Sequence, residues 1–245
     1  MNEKVSIIMP AYNAAPFISE SIDSVLHQTY KNFELIIVND CSTDNTSSIL
    51  NYYSDISRVV IINLETNSGV AEARNIGIKH ASGRFISFLD SDDLWERNKL
   101  EYQVKLLLEN NEGCCHSDYQ RITENGEYLS IVRGKERVTF NDMLITNEIG
   151  NLTGIYDTRV VGKVYQKKIG HEDYLMWLDV LRLTSSIRIR IPLAKYRVRS
   201  SSLSGNKIKA VAWHYKILRQ QIGFRPFLLT RYMFLYIVSA LGKRV

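Results

Sequence analysis

Short apolar runs alternate with amphipathic stretches through the first half of the chain. The runs are rich in Val, Ile and Phe, which is typical of strands that are buried on both faces. We predict four such strands, at residues 5–9, 33–38, 59–64 and 85–89. Between and after them, apolar residues recur at helical spacing. We predict helices at about residues 14–28, around 49–53, at 70–81, and from about Leu94 to Leu108.

Four strand–helix repeats favour an α/β fold with a largely parallel sheet and helices on both faces. The pattern changes near residue 113, where residues 114–131 predict a β-hairpin around Asn125-Gly126. A helix opening at His171-Glu172-Asp173, a strand at 186–198 and a helix at about 207–222 follow. We therefore divide the chain at residues 1–112, 113–205 and 206–245, with the first two parts as halves of one domain.

Composition fits one large folded domain that carries an excess of positive charge. Of the 245 residues, 45% are hydrophobic and 23% charged, and the net charge is +5 with a pI near 9.0. This charge favours anionic partners. Because the basic residues are dispersed and no known nucleic-acid module is visible, we expect no binding to nucleic acid.

Three cysteines make neither a disulfide framework nor a zinc motif, and no apolar leader precedes the first strand. No run of about 18 apolar residues suggests a transmembrane helix. We therefore expect a cytoplasmic protein. Residues 224–245 mix arginines with aromatic residues, which suits either a helix lying on an anionic membrane surface or a closing helix packed on the domain.

Polar clusters follow three of the predicted strands, at residues 10–13, 39–44 and 90–93. In parallel sheets, ligands bind outside the carboxyl ends of the strands, so the clusters should converge on one rim. Asp90, Asp92 and Asp93 would repel one another by several kcal/mol at about 4 Å. A divalent cation that also holds a diphosphate would offset this repulsion. Alternatively, Ser91, Asp92 and Asp93 cap a helix that begins near Leu94.

Together with Asn67-Ser68-Gly69 and Ala73-Arg74-Asn75, these clusters resemble the inverting family 2 glycosyltransferases of the GT-A fold. The resemblance extends over roughly residues 4–205, is most specific over 5–100, and points to the bacterial polysaccharide and O-antigen type. It implies a Rossmann-like, mostly parallel central sheet flanked by helices. Residues 1–112 would then bind the nucleotide-sugar, and 113–205 would bind the acceptor and carry out catalysis.

The resemblance also implies roles on the nucleotide side. Ala11 and Tyr12 would line the nucleotide pocket, Asp40 would accept the uracil N–H, and Arg74 would approach the nucleotide or its phosphates. The alternative is that the two residues have structural roles only: Asp40 would stabilise a turn, and Arg74 would form a surface ion pair.

In the Asp-x-Asp element, Asp92 would ligate Mn²⁺ or Mg²⁺, and Asp90 would hold the ribose or a metal-bound water. Ser91, between them, is expected to contact the nucleotide. Asp93 is expected only to cap the following helix. Arg199 stands where many relatives carry a His in the loop near the diphosphate, and Arg can still neutralise phosphate.

For catalysis the resemblance implies Asp173 as general base at the start of a helix, with Glu172 as its competitor. The reaction would move a sugar from a nucleotide-sugar, a UDP-hexose or UDP-N-acetylhexosamine, to a saccharide acceptor on a polyprenyl diphosphate lipid at the inner face of the membrane. The alternatives are a non-catalytic nucleotide-sugar-binding protein and a nucleotidyltransferase. The latter needs a Gly-rich basic loop after the first strand, which residues 10–13 do not offer.

Overall fold

The structure is a computed structural model that describes residues 3–168, 170, 172–199 and 207–242. The strands in this part of the chain are β1 (Val5–Ala11), β2 (Phe33–Asn39), β3 (Val59–Asn63), β4 (Phe85–Phe88), β5 (Leu94–Trp95), β6 (Cys114–Ile122), β7 (Tyr128–Val132), β8 (Arg137–Val138), β9 (Ile155–Asp157) and β10 (Ser186–Arg197). The helices are α1 (Ile18–Leu26), α2 (Thr46–Asn51), α3 (Val70–His80), α4 (Lys99–Asn110), α5 (Phe140–Ile145), α6 (Thr158–Val161), α7 (Glu172–Leu181), α8 (Lys207–Ile222) and α9 (Pro226–Gly242), with a 3₁₀ turn at Asn151–Thr153.

The first four strands form the parallel half of one sheet, in the order β3-β2-β1-β4. Every residue of β1 and β2 is buried, as expected for central strands covered on both faces. The last residue of β1, Ala11, lies opposite Asn39 at the end of β2. The carboxyl ends of β1, β2 and β4 therefore share one edge, and the predicted convergence of the three polar clusters is confirmed.

The rest of the sheet is mixed rather than parallel. Strand β9 is antiparallel to both β4 and β6, while β10 runs parallel to β6 and antiparallel to β5. Strands β6 and β7 form the predicted hairpin, with Gly126 at φ 86° in its turn. Strands β6 and β10 thus point their carboxyl ends toward the same rim as β4.

Two apolar cores cover the two faces of the sheet. One contains Ile18 and Ile22 of α1 with Leu100 and Val104 of α4. The other contains buried residues of α3, α7, α8 and α9, which are Ala73, Ile78, Trp177, Leu178, Ile217, Leu218 and Leu229. The C-terminal helices therefore pack on the domain, as one of the two alternatives for this segment predicted.

Stacked rings reinforce that packing. The His214 ring of α8 lies between Tyr174 of α7, at 5.8 Å between centroids, and Tyr236 of α9, at 4.0 Å. Through this stack, both C-terminal helices pack against helix α7, which begins at Glu172. In the described ranges we find no helix with the length and apolar character needed to cross a bilayer.

The helix predicted from Leu94 is wrong at its beginning. Leu94 and Trp95 form the short strand β5, which pairs with Lys195 and Ala194 of β10, and α4 begins only at Lys99. The indole N–H of Trp95 donates to the Leu152 carbonyl at 2.8 Å. A cross-sheet partner and a buried indole hydrogen bond outweigh the local helical periodicity.

Candidate active site

The ends of β1 and β2 are joined by hydrogen bonds. The Asp40 backbone N–H donates to the Ala11 carbonyl at 2.8 Å. Asn13, in the left-handed region at φ 48°, accepts from the Thr43 N–H at 2.8 Å through its side chain. Tyr12 is half-exposed at this edge, with 50% of its surface accessible. The predicted nucleotide-pocket residues Ala11, Tyr12 and Asp40 therefore lie together at the rim.

Asp40 anchors the turn that begins α3. Its carboxylate is buried and accepts the backbone N–H groups of Ser68 at 2.7 Å and Gly69 at 2.8 Å. Gly69 has φ 89°, a conformation that glycine adopts without steric cost. Each carboxylate oxygen has a second lone pair, so a contact with uracil stays a prediction beside this structural role.

Arg74 connects the two halves of the chain. Its guanidinium is buried and donates from Nη2 to Asp90 Oδ1 at 2.5 Å and from Nη1 to Gln166 Oε1 at 3.2 Å. Burial alone would lower the Arg74 pKa, but the carboxylates of Asp90, Asp173 and Glu172 outweigh it and raise the pKa. The acids after β4 and the acids of α7 therefore act on the same guanidinium.

The loop before α7 is fixed against α3. The Gln166 N–H donates to Asn75 Oδ1 at 2.7 Å, and Asn75 Nδ2 returns a hydrogen bond to the Gln166 carbonyl at 2.9 Å. Lys168 Nζ donates to the Ser68 carbonyl at 3.1 Å. At Gly170, a Cβ would lie 2.7 Å from the indole of Trp213, so only glycine lets the loop pack this closely on α8.

Glu172 and Asp173 form the first turn of α7, as predicted, and both are half-buried. Glu172 Oε1 accepts the Gly170 N–H at 3.3 Å, so this carboxylate stabilises its own loop. His171 lies outside the described residues. Asp173 as general base, with Glu172 as its competitor, stays a prediction.

Asp92 is half-buried at the rim and pairs with Arg199. Its Oδ2 lies 3.4 Å from Arg199 Nη1. Burial and the adjacent Asp90 raise the Asp92 pKa, and Arg199 offsets this only in part. Ser91 is half-buried between the two acids. Asp90, Ser91, Asp92 and Arg199 are therefore neighbours, as the sequence predicted.

Asp93 does not cap a helix, so that prediction is wrong. The side chain is 2% exposed, and its Oδ1 accepts the backbone N–H of Arg197 at 2.9 Å. Burial and the charges of Asp92 and Asp90 hold the Asp93 pKa well above its usual range. Asp93 therefore joins the acidic segment to the end of β10, and α4 begins only at Lys99, with Asn98 at its N-cap position.

Arg197 is the site residue that sequence reasoning missed. It is 3% exposed and donates from Nε to the Asp92 carbonyl at 2.8 Å, from Nη1 to the Glu124 carbonyl at 2.6 Å and from Nη2 to Glu20 Oε2 at 2.7 Å. Its guanidinium also lies 4.8 Å from the centroid of the Phe17 ring. One feature of the sequence could have indicated its burial. Arg197 lies four residues after Leu193 and eight after Ile189, both buried, and even spacing places residues on the same face of a strand.

Residues 6–161 match the family described as Glycosyl transferase family 2. The chain belongs to this family. The family predicted from the sequence is confirmed. The protein is a family 2 glycosyltransferase with the GT-A fold, in which helices flank a mixed sheet.

Some relatives of this family 2 enzyme match nearly its whole length. The UDP-Glc:alpha-D-GlcNAc-diphosphoundecaprenol beta-1,3-glucosyltransferase WfgD of Escherichia coli is 39% identical over 241 residues, which are 98% of this chain and 94% of that protein. TarS 1-349 of S. aureus, in complex with UDP-GlcNAc, superposes with a TM-score of 0.76 at 23% identity, covering 96% of this chain and 71% of TarS. The mannosyltransferase PcManGT of Pyrobaculum calidifontis, in complex with GDP-Man and Mn²⁺, gives 0.68 at 18% identity over 98% and 74% of the two chains.

The acidic rim of this glycosyltransferase fits a divalent cation that shares its ligands with a substrate. Burial, and after it the repulsion between neighbouring acids, raises the pKa values of Asp92 and Asp93, and a bound cation would offset that repulsion. Within the described ranges, no three His, Cys, Asp or Glu side chains are grouped so that they could hold a metal ion by themselves. Mg²⁺ and Mn²⁺ sites of this kind take one or two carboxylates, and substrate phosphates supply the remaining ligands.

Proposed function

We propose that this family 2 enzyme transfers a hexose from a UDP-sugar to the sugar of a lipid-linked diphosphate, with inversion at the anomeric carbon. UDP-glucose is the first candidate donor and GlcNAc-diphosphoundecaprenol the first candidate acceptor, because WfgD carries these two substrates in its name and aligns over 98% of the chain. The observation that best supports this proposal is the position of the buried Arg74. Its guanidinium donates a hydrogen bond to Asp90 in the first half of the chain and interacts electrostatically with Asp173 in the second half.

On the donor side, we assign the nucleotide to the rim formed by the ends of β1 and β2. Ala11 and Tyr12 would line the base pocket, and Asp40 would accept the uracil N–H while it holds the Ser68–Gly69 turn. Half-exposed Tyr12 offers ring surface to a base. Residues 1–112 form the donor half in this assignment.

The diphosphate would lie against the acidic segment. Asp92 would hold a Mn²⁺ or Mg²⁺ ion, which supplies positive charge to the leaving diphosphate. Arg199, 3.4 Å from Asp92 and 38% exposed in its side chain, can turn toward phosphate oxygens. Asp90 and Ser91 are assigned to the ribose, with Arg74 holding Asp90 in place.

Asp173 would take the proton from the acceptor hydroxyl as its oxygen attacks the anomeric carbon from the face opposite the diphosphate. Asp173 lies in the first turn of α7, and its carboxylate interacts electrostatically with the buried guanidinium of Arg74. One displacement without a protein nucleophile converts an α-linked donor into a β-linkage. The base belongs to the acceptor half, residues 113–205.

The C-terminal segment, residues 224–245, is assigned to a peripheral contact with the inner face of the membrane. Its described part exposes Phe224, Phe227 and Phe234 at 71%, 80% and 65%, with the exposed Arg225 and Arg231 on the same segment. Aromatic residues beside arginines suit the interface of an anionic bilayer. A lipid-linked acceptor would be presented at that surface.

Incubation of the purified enzyme with UDP-glucose, Mn²⁺ and a short-chain GlcNAc-diphosphate lipid tests this function. Proton NMR of the product should show a new β-glucosidic signal and release of UDP. A nucleotidyltransferase would instead transfer the uridylyl group and release glucose 1-phosphate, and a pure binding protein would leave the donor intact. Either result contradicts the proposal.

A further inference from the structure

A cavity lies near the acidic rim, and residues within 117–150 form its lining. It has a volume of about 560 Å³, within the range of cavities that hold small ligands. Tyr119 and Arg121 of β6, Arg133 just after β7, and Asn147, Glu148 and Gly150 of the segment after α5 contribute to its lining. None of these six residues has a role in the donor site described above.

Tyr119 links this cavity to the catalytic rim. Its ring meets Tyr196 edge to face, at 6.3 Å between centroids, and Tyr196 directly precedes Arg197. Burial raises the pKa of the Tyr119 hydroxyl, Arg121 lowers it and Asp93 raises it, so the ring lies within electrostatic range of both residues. Tyr119 therefore both lines the cavity and interacts electrostatically with Asp93 of the acidic segment.

The geometry of β6 explains why the cavity has this lining. Tyr119 and Arg121 are two residues apart on one strand, so both side chains leave the same face. A Cβ at Gly150 would lie 3.3 Å from Tyr119 Cε1, so glycine is what gives the ring room at this wall.

The cavity carries unneutralised positive charge. Arg121 and Arg133 are exposed, and neither forms an ion pair or a side-chain hydrogen bond within the part of the chain that the structure describes. By contrast, Arg188 and Arg190 on the neighbouring β10 are paired with Asp118 and Glu136. Two guanidinium groups that are not paired with a carboxylate can each donate two hydrogen bonds to phosphate oxygens.

Glu148 is the carboxylate of the lining and must be weighed against the two arginines. Its charge, together with burial, raises the pKa of Tyr174 on α7, so Glu148 also acts on the helix behind the loop. With one acid and two arginines, the lining keeps an excess of one positive charge. A neutral sugar alone would not need that excess.

We propose that this cavity binds the sugar diphosphate of the acceptor, with Arg121 and Arg133 on the diphosphate and the Tyr119 ring against the sugar. The inference rests on the proposed function, which supplies an acceptor sugar linked to a diphosphate. The sugar would reach the acidic rim past Tyr119, while the diphosphate stays on the outer side at the two arginines. Arg121 and Arg133 are thus specificity residues for the acceptor's anionic group.

Binding to the UDP-saturated protein tests the cavity separately from turnover. The probes are GlcNAc α-linked to a diphosphate with a short alkyl chain, and octyl GlcNAc, which lacks the diphosphate. We expect the wild-type protein to bind the diphosphate probe at least 10-fold more tightly than the glycoside. Arg121→Gln and Arg133→Gln should each lose about 10-fold for the diphosphate probe alone, and the preference should shrink with added salt.

Arg190→Gln is the matched control, because it removes one exposed arginine of the neighbouring strand and should leave both affinities unchanged. Equal binding of the two probes by the wild-type protein would overturn the inference, as would variants that keep the preference. If the preference and its loss are found but no sugar is transferred, the proposed function fails while the cavity assignment stands. If sugar is transferred and the variants change neither affinity nor acceptor KM, only the cavity assignment fails.

Discussion

Arg74 and Asp90 form a 2.5 Å ion pair in which the arginine is almost fully buried and the carboxylate is one-third exposed. The pair lies between α3 and the end of β4, and the acids of α7 act on the same guanidinium. A buried arginine that faces acids from both halves of the chain fixes their relative positions. Residues 1–112 and 113–205 are therefore joined at one rim through Arg74.

Asp92→Asn should abolish the effect of divalent ions. In the wild-type protein, Mn²⁺ should tighten UDP binding and EDTA should stop transfer, because in the proposed mechanism the cation would join the acidic segment to the diphosphate. In Asp92→Asn, UDP affinity should not respond to Mn²⁺, and transfer should fall about 100- to 1000-fold, the loss expected when several kcal/mol of charge stabilisation is removed. Calorimetric titration with UDP and a transfer assay measure the two effects.

Asp55→Asn provides the control for that experiment, since Asp55 is exposed in the segment before β3, at the opposite edge of the sheet. It should behave as the wild-type protein. A Mn²⁺ response that survives in Asp92→Asn would rule out Asp92 as the metal ligand.

Arg197→Ala should destabilise the protein, because two backbone carbonyls and the Glu20 carboxylate lose their donor. We expect the free energy of unfolding to fall by about 3 kcal/mol, as for other buried charged hydrogen bonds. Arg190→Ala removes an arginine that is 73% exposed and should cost no more than about 0.5 kcal/mol. Urea unfolding of the two variants measures the difference, and equal losses would refute a central structural role for Arg197.

The fold of the first half could be predicted from its sequence because strand pattern and polar strand ends agree there. Asp93 and Arg197 show where this approach stops. Local periodicity placed Asp93 at a helix start, but a pairing between β5 and β10, about 100 residues apart in sequence, decides its position. The partners of Arg197 lie on α1, on the acidic segment and at Glu124, and no local pattern carries that information.

Lys99 should make stability depend on pH. It is 0% exposed, with Nζ 2.6 Å from Gln103 Oε1 and 3.8 Å from the centroid of the Trp95 ring, and burial lowers its pKa to about 7. The unfolded chain, with a lysine pKa of about 10.4, binds more protons than the folded one above pH 7. The free energy of unfolding should therefore rise as pH increases from 7 toward 10.

Lys99→Met should lack this rise. Between pH 7 and pH 9 the wild-type protein should gain about 2 kcal/mol relative to the variant, at 1.36 kcal/mol per pKa unit. Urea unfolding at both pH values gives the two slopes, so any constant cost of the substitution cancels. Parallel pH profiles would show that Lys99 keeps its proton in the folded protein.

The exposed aromatic residues of α9 should support membrane binding. We expect wild-type protein to float with vesicles that contain phosphatidylglycerol and to bind phosphatidylcholine vesicles more weakly, because the segment is also basic. Phe227→Ser and Phe234→Ser should each lower vesicle affinity about 10-fold, in line with the transfer free energy of an aromatic side chain.

Tyr52→Ser is the matched control for flotation, because Tyr52 is an 85% exposed aromatic residue at the end of α2. It should leave flotation unchanged. If the α9 variants float as well as the wild-type protein, α9 is not the membrane contact.

The central claim is that one displacement, with Asp173 as base, transfers the sugar. The most direct test compares Asp173→Asn with Glu172→Gln for UDP binding and for transfer to the GlcNAc-diphosphate lipid. We predict that Asp173→Asn binds UDP as the wild-type protein does but loses transfer by about 100- to 10,000-fold. Glu172→Gln keeps the Oε1 that accepts the Gly170 N–H and loses only its charge, so it should keep most of the transfer. Near-normal transfer by Asp173→Asn would contradict the account.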